Sequence, residues 1–418
     1  MHADRPARTR GHTFCRFCSG ALHPFVDLGV SPLCESFLTA EQLNGAETFY
    51  PLDVRVCGTC WLAQLGEFVP PGEIFSEYAY FSSYSRAWLD HARSFVAMAV
   101  DRFGLGPDSL AIEVASNDGY LLSNLVERRI PCLGIEPAAN VAKAAERAGV
   151  PTLVAFFGRA LAEDLAGSGR RADLVVANNV LAHVPDVNDF VAGLAILLKD
   201  EGVVSLEFPH LGKLIAENQF DTIYHEHFSY LSLTAAERIL AAHGLRVFDV
   251  EQLWSHGGSL RVFACRTESR RDTAPSVAWL RESERAAGLM ELSTFAAFGA
   301  RVAETKWRLL DLLIRLKREG RRIVGYGAPG KGNTLLNYCG IRTDFLDFTV
   351  DRNPYKHGRF TPGARIPVLP PERLDAAQPD YVLILPWNLK TEIMAQLAHV
   401  RNWGGRFIVP IPEPTVVE

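Results

Sequence analysis

Five apolar runs, Leu110 to Ala115, Pro131 to Glu136, Pro151 to Phe156, Asp173 to Asn178 and Gly202 to Pro209, alternate with amphipathic stretches in the first half of this 418-residue chain. Short apolar runs without strict alternation suit strands buried on both faces, and the stretches between them have helical character. A β-α-β-α order of this kind is satisfied by a parallel sheet covered by helices, so the fold class expected is α/β. Arg322 to Tyr326, Asp344 to Val350 and Tyr381 to Leu385 repeat the pattern, with Lys390 to Val400 as a following helical segment, and predict a second α/β unit. Between the two, Ser276 to Glu319 is rich in Ala, Leu, Arg and Glu with few breakers, as helical connectors are.

The length exceeds what one hydrophobic core organises, and 48% hydrophobic with 22% charged residues describes packed domains. Four regions are expected: 1–70, turn-rich and cysteine-bearing; 71–270, the first α/β domain; 271–320, the connector; and 321–418, the second α/β domain. A net charge of -5 gives no general basic field, which counts against nucleic acid and against an anionic membrane surface as partners. Met1 to Arg10 is basic but is followed by no apolar signal core, and no run is long enough to span a bilayer. A cytoplasmic location is the expectation.

Of eight cysteines, four form two CxxC pairs, Cys15/Cys18 and Cys57/Cys60. Each CxxC turn presents two sulfurs to one ion, and two turns supply the corners of a tetrahedron, for which Zn2+ is the natural occupant. The alternative is four buried free thiols. A closed four-sulfur site leaves no open coordination position, so this metal is structural. Cys34, Cys132, Cys265 and Cys339 lack paired spacing and read as small core residues.

Glu113-Val114-Ala115-Ser116-Asn117-Asp118-Gly119-Tyr120 ends the first of the five runs. In a doubly wound sheet the ligand sits at the carboxyl ends of the strands, where Gly119 allows the chain to pass close to it. Glu113, Asn117 and Asp118 surround that turn with acceptors, which suit the amino and sulfonium cations of S-adenosylmethionine (SAM) and repel a polyphosphate. The next strand ends at Glu136, placed to accept protons from both ribose hydroxyls. NAD is the competing ligand, and the lack of a full GxGxxG here lowers it. Asn178 and Asn179 end a later strand, where they line the adenosine or methionine end or serve as turn residues.

A second glycine-rich loop, Gly325-Tyr326-Gly327-Ala328-Pro329-Gly330-Lys331-Gly332, follows a strand and precedes a helix. Its N–H groups and Lys331 suit a phosphate, hence the diphosphate of a nucleotide sugar; a turn kept for packing is the other reading. Asp351 to His357 continues the same crevice, and Trp387-Asn388 lies at another strand mouth, either stacking on a base or sugar or buried.

Taken in order, the double CxxC lobe, EVASNDGYLL from Glu113, NNVLAHVPD from Asn178, FDTIYHEHFSYLS from Phe220, HGGSLR from His256 and GYGAPGKGNTLLN from Gly325 resemble the nucleotide-sugar C-methyltransferases of deoxysugar biosynthesis. The resemblance covers nearly the whole chain. It implies a zinc lobe, a class I SAM-methyltransferase domain with a Rossmann-like sheet, and a C-terminal Rossmann-like domain that completes the site for a dTDP- or GDP-linked 4-keto-6-deoxy sugar. It implies carbon methylation next to the ketone, at C3, while sugar, nucleotide and methylated atom vary among relatives.

A hydrogen beside a ketone is removable if the enolate is stabilised as it forms. The resemblance assigns His227 as base, Glu226 and Tyr224 beside it, and Tyr78 and His183 near the reacting sugar. Gly327, Lys331, Asn333, His256, Trp387 and Asn388 are the candidate acceptor contacts, and the resemblance supports the glycine loop in that role. His225 is expected to face away, and His256 is a substrate contact or an ordinary turn. The YHEH run lacks the HExxH spacing of a zinc site. Two alternatives remain open: N- or O-methylation of a related sugar nucleotide or small molecule, and a non-catalytic zinc-containing binding protein.

Overall fold

The computed structural model describes residues 13–418 apart from 71, 73, 75–81 and 85. Tyr78 lies outside the described residues. Contacts sort the chain into two compact units that are threaded through one another in sequence. The first takes the amino-terminal residues through Leu22 with Cys57–His210 and Phe228–Met290; the second takes His23–Val56, Leu211–His227 and Glu291–Glu418. Among the described residues no helix is long and apolar enough to cross a membrane.

Strands β1 (Leu22–Ser31) and β2 (Tyr50–Cys57) are neighbours in the second unit. The first unit opens with the short β3 (Ala63–Leu65) and the helix Arg86–Phe103. It then builds β4 (Ala111–Val114), β5 (Cys132–Ile135), β6 (Thr152–Leu153), β7 (Ala172–Asn178) and β8 (Leu198–Pro209). These five pair parallel with one another, with Glu113 opposite Gly134 and Asn178 opposite Glu207. After β9 (Ser229–Tyr230), which pairs antiparallel with β3, a hairpin of β10 (Leu245–Leu253) and β11 (Ser259–Arg266) completes a sheet of order β10-β11-β8-β7-β4-β5-β6. From β4 the chain moves outward through β5 to β6, then returns to the other side of β4 as β7. The crevice for a ligand is set at that reversal.

Both faces of this sheet are covered, which is why its strands read as continuous apolar runs. Val175, Ala177, Ile112 and Val114 join one cluster, while the alternating Leu174, Val176 and Ala111 join the other with Phe248 and Phe263. The run Pro151 to Phe156 yields only the two-residue β6. It is an edge strand pairing with β5 alone, and Val154 and Phe156 beyond it are exposed. The hairpin β10-β11 gave no apolar-run signal, because β10 alternates buried Val247 and Val250 with more exposed polar residues around a register shift between Val247 and Asp249.

In the second unit β12 (Ile323–Tyr326), β13 (Thr349–Val350), β14 (Val368–Leu369), β15 (Tyr381–Ile384) and β16 (Arg406–Val409) are parallel to their neighbours. The antiparallel β17 (Thr415–Val417) closes the order β14-β13-β12-β15-β16-β17. Here too the chain reverses beside its first strand, so the mouth lies between β12 and β15. The stretch Ser276 to Glu319 resolves into two helices. Pro275–Ala286 belongs to the first unit, and Leu292–Arg318 belongs to the second. The longer one buries Phe295, Phe298, Val302, Thr305 and Leu309 at steps of three and four, and its two phenylalanines pack on Phe25 with ring centres 5.1 and 5.0 Å away.

Candidate functional sites

Cys15, Cys18, Cys57 and Cys60 bring their sulfurs within 4.8 Å of one another. The pairs Cys15–Cys60 and Cys18–Cys57 are each 3.5 Å apart. Four sulfurs on a tetrahedron with metal–sulfur bonds of about 2.3 Å have edges near 4 Å, so the donor set fits zinc. Each knuckle closes through a left-handed residue, Ser19 or Trp61, whose N–H returns to the carbonyl of Cys15 or Cys57. Gly20 is required beside the cluster, because a Cβ there would lie 2.8 Å from Thr59 Oγ1 and 3.0 Å from Cys57 Sγ. A hydrogen bond from Cys60 draws the Cys15 thiol down to about 5, while Cys60 is pushed up.

The donor turn follows β4. Ala115, Asn117 and Gly119 all adopt positive φ (54°, 51° and 77°), and a Cβ on Gly119 would lie 2.9 Å from Val150 Cγ2. The turn is tied down by its own acids and amides. Glu136, at the end of β5, accepts from Asn117 N–H at 2.9 Å and from Ala138 N–H at 2.8 Å. Asn117 Oδ1 accepts from Ser82 N–H and Asp118 Oδ2 from Ser83 N–H. Burial, then the charges of Glu136 and Asp118, pushes the Glu113 carboxyl well above the usual range. Glu113 Oε2, Ser116 Oγ, Asp118 Oδ1, Asn178 Oδ1 and both amide atoms of Asn179 are buried without a protein partner. These orphaned polar atoms at the ends of β4 and β7 are groups that a polar ligand would satisfy. Their acceptor-rich character fits the amino group and hydroxyls of SAM. His183 ends the short helix Leu181–His183 in the same unit and is half-buried.

In the second unit, Tyr224 to His227 sits in a buried segment. His227 Nδ1 donates to the carbonyl of Thr222 at 3.0 Å, and the Tyr224 ring lies 4.1 Å from the imidazole, centre to centre. A carbonyl only accepts, so the proton is on Nδ1 and the basic lone pair is on Nε2. His225 Nε2 donates to Pro51 O at 3.1 Å, and burial lowers its basicity. Glu226 accepts from Cys34 Sγ at 3.6 Å, and burial followed by the charge of Glu35 pushes it up to about 7.

At the mouth of the second sheet, Gly327 has φ +83°, and a Cβ on it would lie 2.6 Å from Pro386 Cδ. Lys331 turns inward. It donates to Asn388 Oδ1 at 3.0 Å and lies 4.9 Å from the Trp387 ring centre, and burial lowers its basicity against the opposing pull of Asp221. The buried Trp387 indole donates to Asp221 Oδ2 at 2.7 Å, and burial raises Asp221 to about 6. Asn333 is buried and donates to Cys34 O at 2.6 Å. The structure therefore brings Lys331, Trp387 and Asn388 together, with Asp221 added. His256 lies in the first unit, where its backbone forms the short helix Ser255–Gly257.

One constellation went unread in the sequence. Glu207 ends β8 beside Asn178 and is fully buried. Its carboxylate accepts from Arg261 at 2.8 Å, Ser255 Oγ at 2.8 Å and His91 Nε2 at 2.9 Å. Burial alone would raise it, but His91, Arg261 and Ser255 together hold it below the usual range. The available signals were a carboxylate inside an apolar strand run and the arginine of HGGSLR.

The chain matches three family descriptions in succession: "Putative zinc binding domain" over residues 15–75, "Methyltransferase domain" over 88–250 and "C-methyltransferase C-terminal domain" over 254–412. It is 38% identical over 392 residues to the C-methyltransferase NovU of Streptomyces niveus, covering 94% of this chain and 93% of that protein. Among solved structures, the magnesium protoporphyrin IX methyltransferase of Synechocystis PCC 6803 with bound SAM overlaps 43% of this chain and 79% of its own, at 16% identity and TM-score 0.34. A SAM-dependent methyltransferase of Clostridium acetobutylicum overlaps 43% of this chain and 92% of its own, at 12% identity and TM-score 0.34.

Proposed function

This chain belongs to the SAM-dependent C-methyltransferases with an amino-terminal zinc-binding lobe, and from that premise we propose that its acceptor is a nucleotide-linked 4-keto-6-deoxy sugar, methylated at C3. The observation that carries the reading is the fixed imidazole of His227. With Nδ1–H committed to Thr222 O, Nε2 is the nitrogen that takes a proton. A base held in one tautomer is what removal of a weakly acidic C–H beside a ketone requires, and amine or hydroxyl acceptors need it less. Glu226, whose carboxyl burial pushes up to about 7, and the Tyr224 hydroxyl are donors suited to the developing enolate oxygen. Tyr78 and His183 are proposed as further contacts to the reacting sugar.

When bound, SAM would supply an electrophilic methyl for the new C–C bond at C3, leaving S-adenosylhomocysteine, and His227 would hold the proton removed from that carbon. Glu113, Asn117, Asp118, Gly119, Glu136, Asn178 and Asn179 hold and orient the donor. Gly327, Lys331, Asn333, Trp387 and Asn388 are proposed to contact the acceptor, with dTDP and GDP as the candidate carriers, and His256 is proposed as a further acceptor residue.

Incubation with SAM and dTDP- or GDP-linked 4-keto-6-deoxy sugars is expected to give a product heavier by one CH2, with the new methyl on C3 by NMR. Methylation of amino- or hydroxy-sugar nucleotides while the keto sugars stay untouched would overturn the carbon assignment.

A further inference from the structure

A glycine-rich turn ahead of a helix usually offers its N–H groups to an anion. In this chain those groups are answered from within the second unit. Ala328 N–H donates to Asp351 Oδ2 at 2.7 Å, and Asp351 Oδ1 also accepts from Asn353 N–H at 2.7 Å. That is the wiring of Glu136 in the first unit, where an acid at the end of the second strand clamps the first turn. Burial pushes the Glu35 carboxyl up, while Lys356 and then the N–H of Gly330, at the start of the helix Gly330–Cys339, pull the other way. Lys356 Nζ lies 3.1 Å from Glu35 Oε2 and donates to Ala328 O at 2.8 Å. The helix start and Lys356 therefore converge on one protein carboxylate.

Gly330 makes room for this arrangement, since a Cβ on it would lie 2.9 Å from Cys34 Sγ and 3.3 Å from Glu35 Oε1. The segment carrying Glu35 is anchored through the preceding Cys34, at its carbonyl and at its thiol. Asn333 donates to the Cys34 carbonyl, and the Cys34 thiol donates to Glu226 Oε1.

We propose that Glu35 is the resident anion of the loop: it fills the position a phosphate would take, keeps a diphosphate off the Gly327–Gly330 turn, and with Cys34 positions the Glu226 carboxyl. The loop then serves as the mount for Cys34 and Glu35. A diphosphate brought to it meets a like charge whose counter-ion is already engaged, so the turn is left to the uncharged parts of an acceptor. What this assignment says of Glu226 and the acceptor rests on the methyl-transfer reading, but its test needs no substrate.

Isothermal titration of the full-length protein with inorganic phosphate tests it. Wild type is expected to show no saturable binding at the loop. Glu35→Ala, which vacates the position, should gain a single site with affinity raised at least about tenfold, and Glu35→Ala with Lys356→Met should lose it again. Glu35→Gln keeps an acceptor for Gly330 N–H without the charge and serves if the alanine variant does not fold; it should gain phosphate binding in the same direction. Lys356-dependent phosphate binding by wild type that Glu35→Ala leaves unchanged or weakens would overturn the assignment. So would no phosphate binding in any variant, or a gain that survives Lys356→Met.

Discussion

Replacing Glu226 by glutamine should make the protein more stable at alkaline pH and change it little in mild acid. Glu226 is 8% exposed, and burial with the nearby Glu35 charge moves its carboxyl from 4.5 to about 7. The folded chain therefore holds this proton more tightly than the unfolded chain does. Below 4.5 both states are protonated and the group is neutral toward stability. Between 4.5 and about 7 the unfolded state ionises first, so stability falls as pH rises, and above about 7 the full penalty is reached. At about 1.4 kcal/mol per pH unit that penalty is about 3 kcal/mol. Glutamine has the same shape, retains an oxygen for Cys34 Sγ–H, and cannot ionise. Urea unfolding followed by circular dichroism, at a series from about pH 5 to about pH 8, should give curves that nearly coincide in acid and separate by up to about 3 kcal/mol in favour of Glu226→Gln at the alkaline end. Wild-type and variant profiles that run parallel across the series would refute a carboxyl held protonated by its surroundings.

Gly119→Ala combines a positive φ with a Cβ 2.9 Å from Val150 Cγ2, and should cost about 2–4 kcal/mol in thermal or urea unfolding; wild-type stability would mean the turn relaxes freely. Glu136→Gln leaves one acceptor oxygen for the N–H groups of Asn117 and Ala138, so affinity for S-adenosylhomocysteine by titration calorimetry should fall roughly tenfold or more, and unchanged affinity would count against this acid as the clamp of the donor turn. Cys60→Ser should lower bound zinc, read by elemental analysis, and loosen the first unit by several kcal/mol; full zinc occupancy in the variant would contradict a four-sulfur site.

Local chemistry in this chain was legible where residues close in sequence act together. Gly119 and Glu136 follow consecutive parallel strands, so the order turn, helix, strand, acid is written along the chain, and each CxxC turn carries its own geometry. Contacts between distant segments were not legible. Cys34 reads as a small core residue and is buried, but its bond to Glu226 depends on a chain that leaves the second unit after Val56 and returns at Leu211. His91, Glu207 and Arg261 meet for the same reason, from a helix and two strands whose adjacency only the sheet order supplies. Lys331 shows the limit of motif reading. Its position after a glycine turn suggests a charge offered outward, yet the fold buries it against Trp387 with Asp221 nearby.

The proton at C3 gives the most direct test of the proposed chemistry. With S-adenosylhomocysteine in place of SAM no methyl can be transferred, so enzyme and a dTDP- or GDP-linked 4-keto-6-deoxy sugar in D2O report proton removal alone, by loss of the C3–H signal in NMR. Wild type is expected to exchange this hydrogen, and His227→Asn should lose the exchange while keeping its affinity for S-adenosylhomocysteine. Exchange that persists undiminished in His227→Asn, or a wild type that forms the C3-methyl product without ever exchanging the proton, would contradict the account.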